Sequence, residues 1–514
     1  MTAATRRVLL TGATGNWGRA TLRALRDADD LYVRVLALTG AEEHVVLEEF
    51  ADLPHLEIYK GDLTRLADVS RAIDGVDVIL HVGGVVSPVA DEHPARAHRV
   101  NVGSMRHLIA AVQALPDPSA VAIVGVGSVA ETGDRQPPHH WGRIGDPVRV
   151  SQLDAYGQTK VEAERLLIES GLPRWVWLRQ TGIFHEGLLG VRDPILTHVP
   201  LHEVMEWVSD DDAARLLVGL AARDVPSEVW GRVFNVGGGE AWRLTNWQFQ
   251  TALAEAMGVR DVRAWYERHW FATRNFHGHW FTDSDALHDL IPFRRDVFDD
   301  RLRDAVGDAP ARIRRAGSVP PWIVKRYVMQ RIAHERRGTM HAITHRRMAE
   351  VEAHFGSLDE WLHIGGWDAF VPPTPSRTPT SLDHGYDESK HPREWTRDDL
   401  AGAARFRGGE LMTPLVRVGT PTARLQWRCA FGHDFEASPR LILTAGHWCP
   451  ECVRDSAGYA WQATRNPFLA QVEAPQEPVL PLAEQAPPSP TRPGATSPGH
   501  ATNRVEHVGA VPTG

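Results

Sequence analysis

Seven short apolar runs, spaced by stretches of helical periodicity, constrain the first 305 residues more than any other feature of the chain. The runs fall at 7–11, 31–38, 55–63, 76–84, 120–128, 174–182 and 231–239, and helical spacing fills intervals such as 64–74, 99–115 and 155–170. Continuous β-branched runs alternating with amphipathic helices predict an α/β fold, a parallel sheet covered on both faces. The full chain of 514 residues is too long for one core of this kind, so further domains are expected. A net charge of −9 argues against broad nucleic-acid binding. No run of about 20 apolar residues is present to span a membrane. The N-terminus enters a strand at once, without a signal-peptide pattern. Cysteine is confined to positions 429, 449 and 452, which fits a reducing compartment, so a cytoplasmic protein is expected.

Chemistry enters at the first strand-to-helix turn, "TGATGNWGRA". Gly12, Gly15 and Gly18 let the backbone approach a pyrophosphate there, and the helix N-terminus adds free N–H donors and partial positive charge. Further on, "DAYGQTK" places Tyr156 and Lys160 four apart on one helix face. A lysine beside a phenol favours the phenolate, which suits the tyrosine to exchange a proton with a substrate oxygen. Ser128 closes the run "AVAIVGVGS", at the carboxyl end of a parallel strand where ligands bind in open sheets.

Taken in order, these elements over residues 5–300 resemble the extended branch of the short-chain dehydrogenase/reductase superfamily, the NAD-dependent epimerase/dehydratase-like proteins. "TGATGNWG" resembles the branch's TGxxGxxG element, "GDL" at 61–63 the segment near the adenine, and "HVGG" at 81–84 the stretch beside the cofactor. "NVGSMRHLIAA" resembles its asparagine-led helix, and "GRVFNVGGG" the late strand bordering the substrate lobe. The resemblance implies a Rossmann-like doubly wound sheet with a small substrate lobe, and hydride transfer with NAD or NADP on a secondary alcohol or ketone, sugar-nucleotide or natural-product-like. It implies Tyr156 as acid/base, Lys160 to lower its pKa and hold the ribose, and Ser128 to orient the substrate oxygen. It implies cofactor contacts from Gly12, Thr14, Gly15, Asn16, Trp17, Gly18, Arg19, Asp62, Leu63, Val82, Gly83, Asn101, Tyr156 and Lys160.

Three departures narrow this reading. Val129 and Ala130 stand where sugar dehydratases of the branch carry an acidic pair, which disfavours water elimination. Gln180 stands where the strand after the catalytic helix usually ends in a proline, and becomes a substrate-side candidate. Ala37, Leu38 and Thr39 supply neither the acid of an NAD site nor the arginine of an NADP site, leaving Arg19 as a candidate for a 2′-phosphate. "WYERHWFATRNFHGHWF" at 265–281 is either a pocket lining, with Arg274 or His277 reading an anion, or an aromatic core.

Beyond residue 305 the chain changes character. Residues 311–350 hold ten Lys/Arg against two Glu, within a basic helical extension over 306–369 whose stripe includes Ile323, Tyr327 and Ile332. The expectation is an appendage packed on the sheet domain, with a homodimer or protein-partner surface as the alternative. Residues 370–395 read as a linker. The segment 396–468 carries Cys429, His433, Cys449 and Cys452, two short pairs about 16 residues apart, the spacing a tetrahedral ion needs. With its CxxGH start and CPxC finish it resembles a zinc-ribbon or treble-clef module. A structural zinc is expected, with His433 preferred over His447 because the latter crowds Cys449. Residues 469–514 read as a disordered Pro/Ala-rich tail. The leading expectation is a small-molecule oxidoreductase or epimerase. The alternative is a cofactor-binding regulatory or scaffold protein whose zinc module contacts a partner.

Overall fold

The first apolar run folds as an interior strand of a seven-stranded parallel sheet in the computed structural model, which describes residues 6–473 apart from Asp29 and Val191. In chain order the strands are β1 (Arg6–Thr11), β2 (Leu31–Ala37), β3 (Leu56–Lys60), β4 (Val78–His81), β5 (Ala122–Val126), β6 (Trp175–Gln180) and β7 (Arg232–Val236). Their spatial order is β7-β6-β5-β4-β1-β2-β3, all parallel. Each expected run coincides with one of them, β1 beginning one residue earlier. Side chains alternate between faces along β1: Val8 and Leu10 enter one core and Leu9 the other. Both faces are covered, so the strand reads as an unbroken apolar run.

Helices α1 (Asn16–Ala24) and α4 (Asp210–Ala221) cover one face, α2 (Gly103–Gln113) and α3 (Ala155–Ile168) the other. The order reverses between β1 and β4, so their carboxyl ends flank the crevice where doubly wound sheets bind ligands. Room for the Trp177 ring of β6 depends on small residues in and just after β5. A Cβ on Gly125 would stand 2.5 Å from the Trp177 ring, and one on Gly127 would stand 2.2 Å from Trp177 Nε1.

The Cys-containing segment forms a three-stranded antiparallel sheet of β8 (Glu410–Leu411), β9 (Leu425–Arg428) and β10 (Asp434–Ala437). Leu425, Trp427, Phe435 and Ala437 face inward, and the polar residues between them face out, the period-2 pattern of a half-buried sheet. This inward face has no private core. Trp427, Leu441, Ile442 and Leu443 pack in one cluster with Leu108, Leu167 and Trp177 of the large domain.

The basic extension also packs. Ala333 and Met340 are buried with Trp265, Tyr266, Trp270 and Phe271, so the aromatic run 265–281 serves as core to that extent. Ile332 of the expected stripe is buried, but Tyr327 is half exposed because that stretch winds as a π-turn, Lys325–Met329, and shifts the face. The expected linker 370–395 is an ordered strap. His384, 1% exposed, sits 2.9 Å from Asp146, and Arg143 pairs with Glu388 at 2.6 Å. Gly446 of the Cys-containing segment closes against this point, where a Cβ would lie 1.9 Å from the Asp146 carbonyl oxygen. At the tail, Pro467–Glu473 is a helix with Phe468, Leu469 and Val472 buried, so order extends past residue 469. The rest of the expected tail lies outside the described residues.

Asp146 is also paired with Arg135 at 2.5 Å. Burial alone would raise the Asp146 carboxyl, but Arg135 and His384 outweigh it and hold its pKa well below the usual carboxylate range. Burial would lower His384, and Asp146 with Glu388 more than reverse that. The carboxylate's contribution is present above about pH 4 and lost as pH falls; the imidazolium's is present below about pH 6.5 and lost as pH rises. Replacing Asp146 by Asn should therefore cost about 3–5 kcal/mol, since Arg135 is left uncompensated, and flatten both limbs of stability against pH in urea unfolding.

Candidate active site and metal cluster

Three strand ends meet at the crevice. Thr11 of β1 is level with His81 of β4, and His81 with Gly125 of β5. Thr11 Oγ1 accepts from the Gly83 N–H at 3.1 Å and lies 2.9 Å from His81 Nδ1, while His81 Nε2 lies 3.0 Å from Ser104 Oγ. The Ser104 hydroxyl donates to Asn101 O at 3.3 Å and so accepts from Nε2, which leaves Nδ1 to accept from the Thr11 hydroxyl. Burial, helped by nearby Lys160, pushes the His81 pKa down to about 3, so the ring is a neutral structural clamp.

The glycines of the first turn divide into two kinds. Gly12 has φ +72°, and a Cβ there would meet the Gly83 backbone at 2.6 Å; a Cβ on Gly18 would meet Gly12 O at 2.1 Å. Those two are demanded by the protein's own packing. A Cβ on Gly15 would touch Gly12 O at an ordinary 3.5 Å and nothing else within 4 Å. No side chain caps α1 at Gly15, so the helix N-terminus opens onto unfilled space of the kind an anionic phosphate takes.

Around this turn Thr14 is half-buried, Trp17 is buried, and exposed Asn16 lies 3.1 Å from His185. Arg19 is held by Glu49 at 2.7 Å. Asp62 Oδ1 accepts from both the N–H and the hydroxyl of Thr64 at 2.8 Å, an Asx turn that shapes the segment after β3. Leu63 packs beneath Gly83, with half-buried Val82 beside it.

Asn101 lies in a π-turn, His98–Val102, at the entrance to α2. Its amide accepts from Val85 N at 2.7 Å and donates to Val85 O and Thr159 Oγ1 at 2.9 Å each, joining the loop after β4 to α3. The start of α3 is fixed twice more. Asp154 caps Gly157 N at 2.7 Å, and Asp91 accepts from Ala155 N at 2.9 Å.

These supports bring Ser128, Tyr156 and Lys160 together. The Ser128 hydroxyl neighbours the Tyr156 phenol, Lys160 Nζ lies 5.6 Å from the Tyr156 ring centroid, and the ammonium donates to Val126 O at 2.7 Å. Burial pushes the Tyr156 pKa up, opposed by the Ser128 hydroxyl. Burial also brings Lys160 down to about 8. At the end of β6, Gln180 Oε1 and Thr181 Oγ1 are buried without hydrogen-bond partners, orphan groups of the kind a bound molecule satisfies.

The two candidate anion readers do not form a pair. Arg274 bonds Glu360 of the extension at 2.6 Å, whereas His277 stacks on Phe276 and faces Asp154 at 3.6 Å. The residue reasoning missed most clearly is Glu131. It returns to its own loop, accepting from Ser128 N at 2.8 Å in a capping box, and the spacing S-x-x-E of "SVAE" was its signal. Its neighbours Glu164 and Arg179, both wholly buried, carry no local signal.

Residues 8–172 match the model of the NAD dependent epimerase/dehydratase family. Over that stretch the chain is similar to this family, in keeping with the Rossmann-like parallel sheet. Among curated proteins, 3 beta-hydroxysteroid dehydrogenase type 7 of Mus musculus is 28% identical over 199 residues, 36% of this chain and 52% of that protein. NAD-dependent glucose-6-phosphate dehydrogenase of Haloferax volcanii is 30% identical over 165 residues, 31% of this chain and 60% of that protein. The matched stretch thus spans about half the length of the first of these relatives. Among solved structures, dTDP-glucose 4,6-dehydratase of Bacillus anthracis in complex with NAD aligns at TM-score 0.47 and 13% identity, covering 62% of this chain and 98% of that one.

The matched family stretch stops well short of the second site. Cys429, His433, Cys449 and Cys452 place their ligand atoms within 4.8 Å of one another. The three Sγ atoms lie 3.4, 3.5 and 3.6 Å from His433 Nδ1, and Cys429 and Cys452 are 3.8 Å apart. A tetrahedron with metal–sulfur bonds of about 2.3 Å and metal–nitrogen bonds of about 2.0 Å has edges of about 3.8 and 3.5 Å, so the cluster fits a four-coordinate ion. His447 is turned away from it, 3.1 Å from Glu164. Purified protein should carry an equimolar metal by elemental analysis. Cys452→Ser should lose it and unfold at markedly lower temperature; a metal-free parent of unchanged stability would exclude the ion.

Proposed function

We propose that the chain is an NAD-dependent oxidoreductase acting on a secondary alcohol or ketone, with a structural zinc in its C-terminal module. The observation that carries the reading is the convergence of Ser128, Tyr156 and Lys160 beside an uncapped helix N-terminus at the reversal point of the sheet. The amides after Gly15 would hold the cofactor's pyrophosphate, and Lys160 would turn from the Val126 carbonyl to the ribose. A nicotinamide dinucleotide, when bound, supplies or accepts hydride at the substrate carbon.

The chain's own residues handle the oxygen. Ser128 donates to it and sets its direction, while Tyr156 gives or takes its proton. A half-buried phenol with little access to water resists ionisation, so the reaction depends on the Lys160 ammonium and the Ser128 hydroxyl to stabilise the developing phenolate. Val129 and Ala130 are buried and apolar beside Ser128, and Glu131 is turned into the loop, so no carboxylate from this segment serves water elimination. The names of both curated relatives are dehydrogenases, which favours net oxidation or reduction over epimerisation. Arg19 is engaged by Glu49, which favours NAD over NADP. Arg274 is engaged by Glu360, which weakens the case for an anionic substrate. Thiolate and imidazole donors in a closed tetrahedron favour zinc in a structural role.

NADH should bind the purified protein more tightly than NADPH, read by nicotinamide fluorescence. Tyr156→Phe should leave that affinity unchanged and lower kcat for ketone reduction by about 10²–10⁴-fold. A variant that keeps its turnover would remove Tyr156 from the chemistry.

A further inference from the structure

A chain of buried polar groups runs from the metal module to the backbone of Ser128. Ala445 and His447 lie in the loop just before the Cys449–Cys452 pair. The Ala445 carbonyl accepts from Arg179 Nη2 at 2.8 Å, and His447 Nε2 donates to Glu164 Oε1 at 3.1 Å, since a carboxylate oxygen only accepts. Arg179 forks onto Glu164 through Nε and Nη2, at 2.9 and 2.8 Å. Its Nε also stands 3.7 Å from Glu131 Oε2. The other Glu131 oxygen accepts from Ser128 N at 2.8 Å and from Trp177 Nε1 at 3.2 Å.

Two features make this more than a stabilising cluster. Tyr156, Lys160 and Glu164 succeed one another at intervals of four along α3, so the module's His447 touches the same helix face that carries the proton donor. One guanidinium also stands between two carboxyls with no exposed surface. Burial and the facing Glu164 hold the Glu131 pKa well above the usual range, while Arg179 holds Glu164 ionised against its burial. The pair therefore keeps one proton and one negative charge opposite Arg179, a balanced set that has a unique arrangement only while each partner is in place.

We infer that Glu131, Glu164 and Arg179 are positioning residues for Ser128, and that the C-terminal metal module completes them through Ala445 and His447, so that turnover depends on a docked module. The inference rests on the reading of Ser128 and Tyr156 as the groups that handle the substrate oxygen. A displacement of about 1 Å in such a group costs roughly 10²-fold in rate, so loss of this support should appear in kcat and not in cofactor affinity.

The test uses the full-length, metal-loaded chain and four variants, His447→Ala, His447→Gln, Glu131→Ala and Glu131→Gln. Metal content, melting temperature, NADH affinity and kcat for ketone reduction are measured on each. Gln at 447 retains an N–H donor toward Glu164. Gln at 131 retains the acceptor for Ser128 N and replaces the acid's proton with an amide donor. The expected result is that both Ala variants keep the metal and NADH affinity but lose kcat, by about 10²-fold for Glu131→Ala, and that each Gln variant recovers most of it. If Glu131→Ala does not fold, the His447 pair decides alone. Full kcat in His447→Ala, loss of its metal, or Gln variants as impaired as Ala would each overturn the inference. A parent chain that binds NADH and reduces no ketone would instead overturn the functional reading, and the inference would fall with it.

Discussion

A guanidinium with no exposed surface, that of Arg179, ties together parts of the chain that are far apart in sequence. It stands near the end of β6 and binds Glu164 of α3, faces Glu131 of the serine loop and donates to Ala445 of the C-terminal module. Moving such an ion out of water is expensive, and only close, well-oriented partners offset that cost. The partners come from three separate segments, so the serine loop, the tyrosine helix and the module are held in one arrangement. The fused core around Trp427, Leu441 and Trp177 supplies the apolar surroundings that make the arrangement obligatory.

The crevice obeys a different constraint, the close approach of backbone to backbone. Gly12 against Gly83 and Gly18 against Gly12 leave no space for side chains, whereas Gly15 faces open volume before the N-terminus of α1. His81, neutral and clamped between two hydroxyls, keeps the ends of β1 and β4 in step without adding charge beside Lys160. The strand ends are thereby held in fixed register, and the loops between them are tied down by Asn101, Asp91 and Asp154.

The extension packs as expected, whereas the strap is ordered by contacts that its composition does not announce. Charge in 311–350 and turn residues in 370–395 look solvated in isolation. In the structure, Lys325 bonds Glu267, Arg337 bonds Glu92, and His384 is buried between Asp146 and Glu388. Apart from Glu388, four residues after His384, each partner is remote in sequence, so no local pattern announces it.

What was legible in the sequence is what local physics enforces. Apolar runs marked all seven strands, because a strand buried on both faces admits little else. The glycine spacing marked the turn, because a side chain at Gly12 or Gly18 has nowhere to go. The i, i+4 spacing put Tyr156 and Lys160 on one face, and the paired Cys and His spacing marked the ligand cluster. Tertiary structure alone decided the rest: that Arg274 is spent on Glu360, that His447 meets Glu164, and that Glu131 accepts from Ser128 N while facing Arg179. Those outcomes depend on which charges share a low-dielectric interior. A linear sequence states each charge but not its neighbours, and in a buried site the neighbours set the energy.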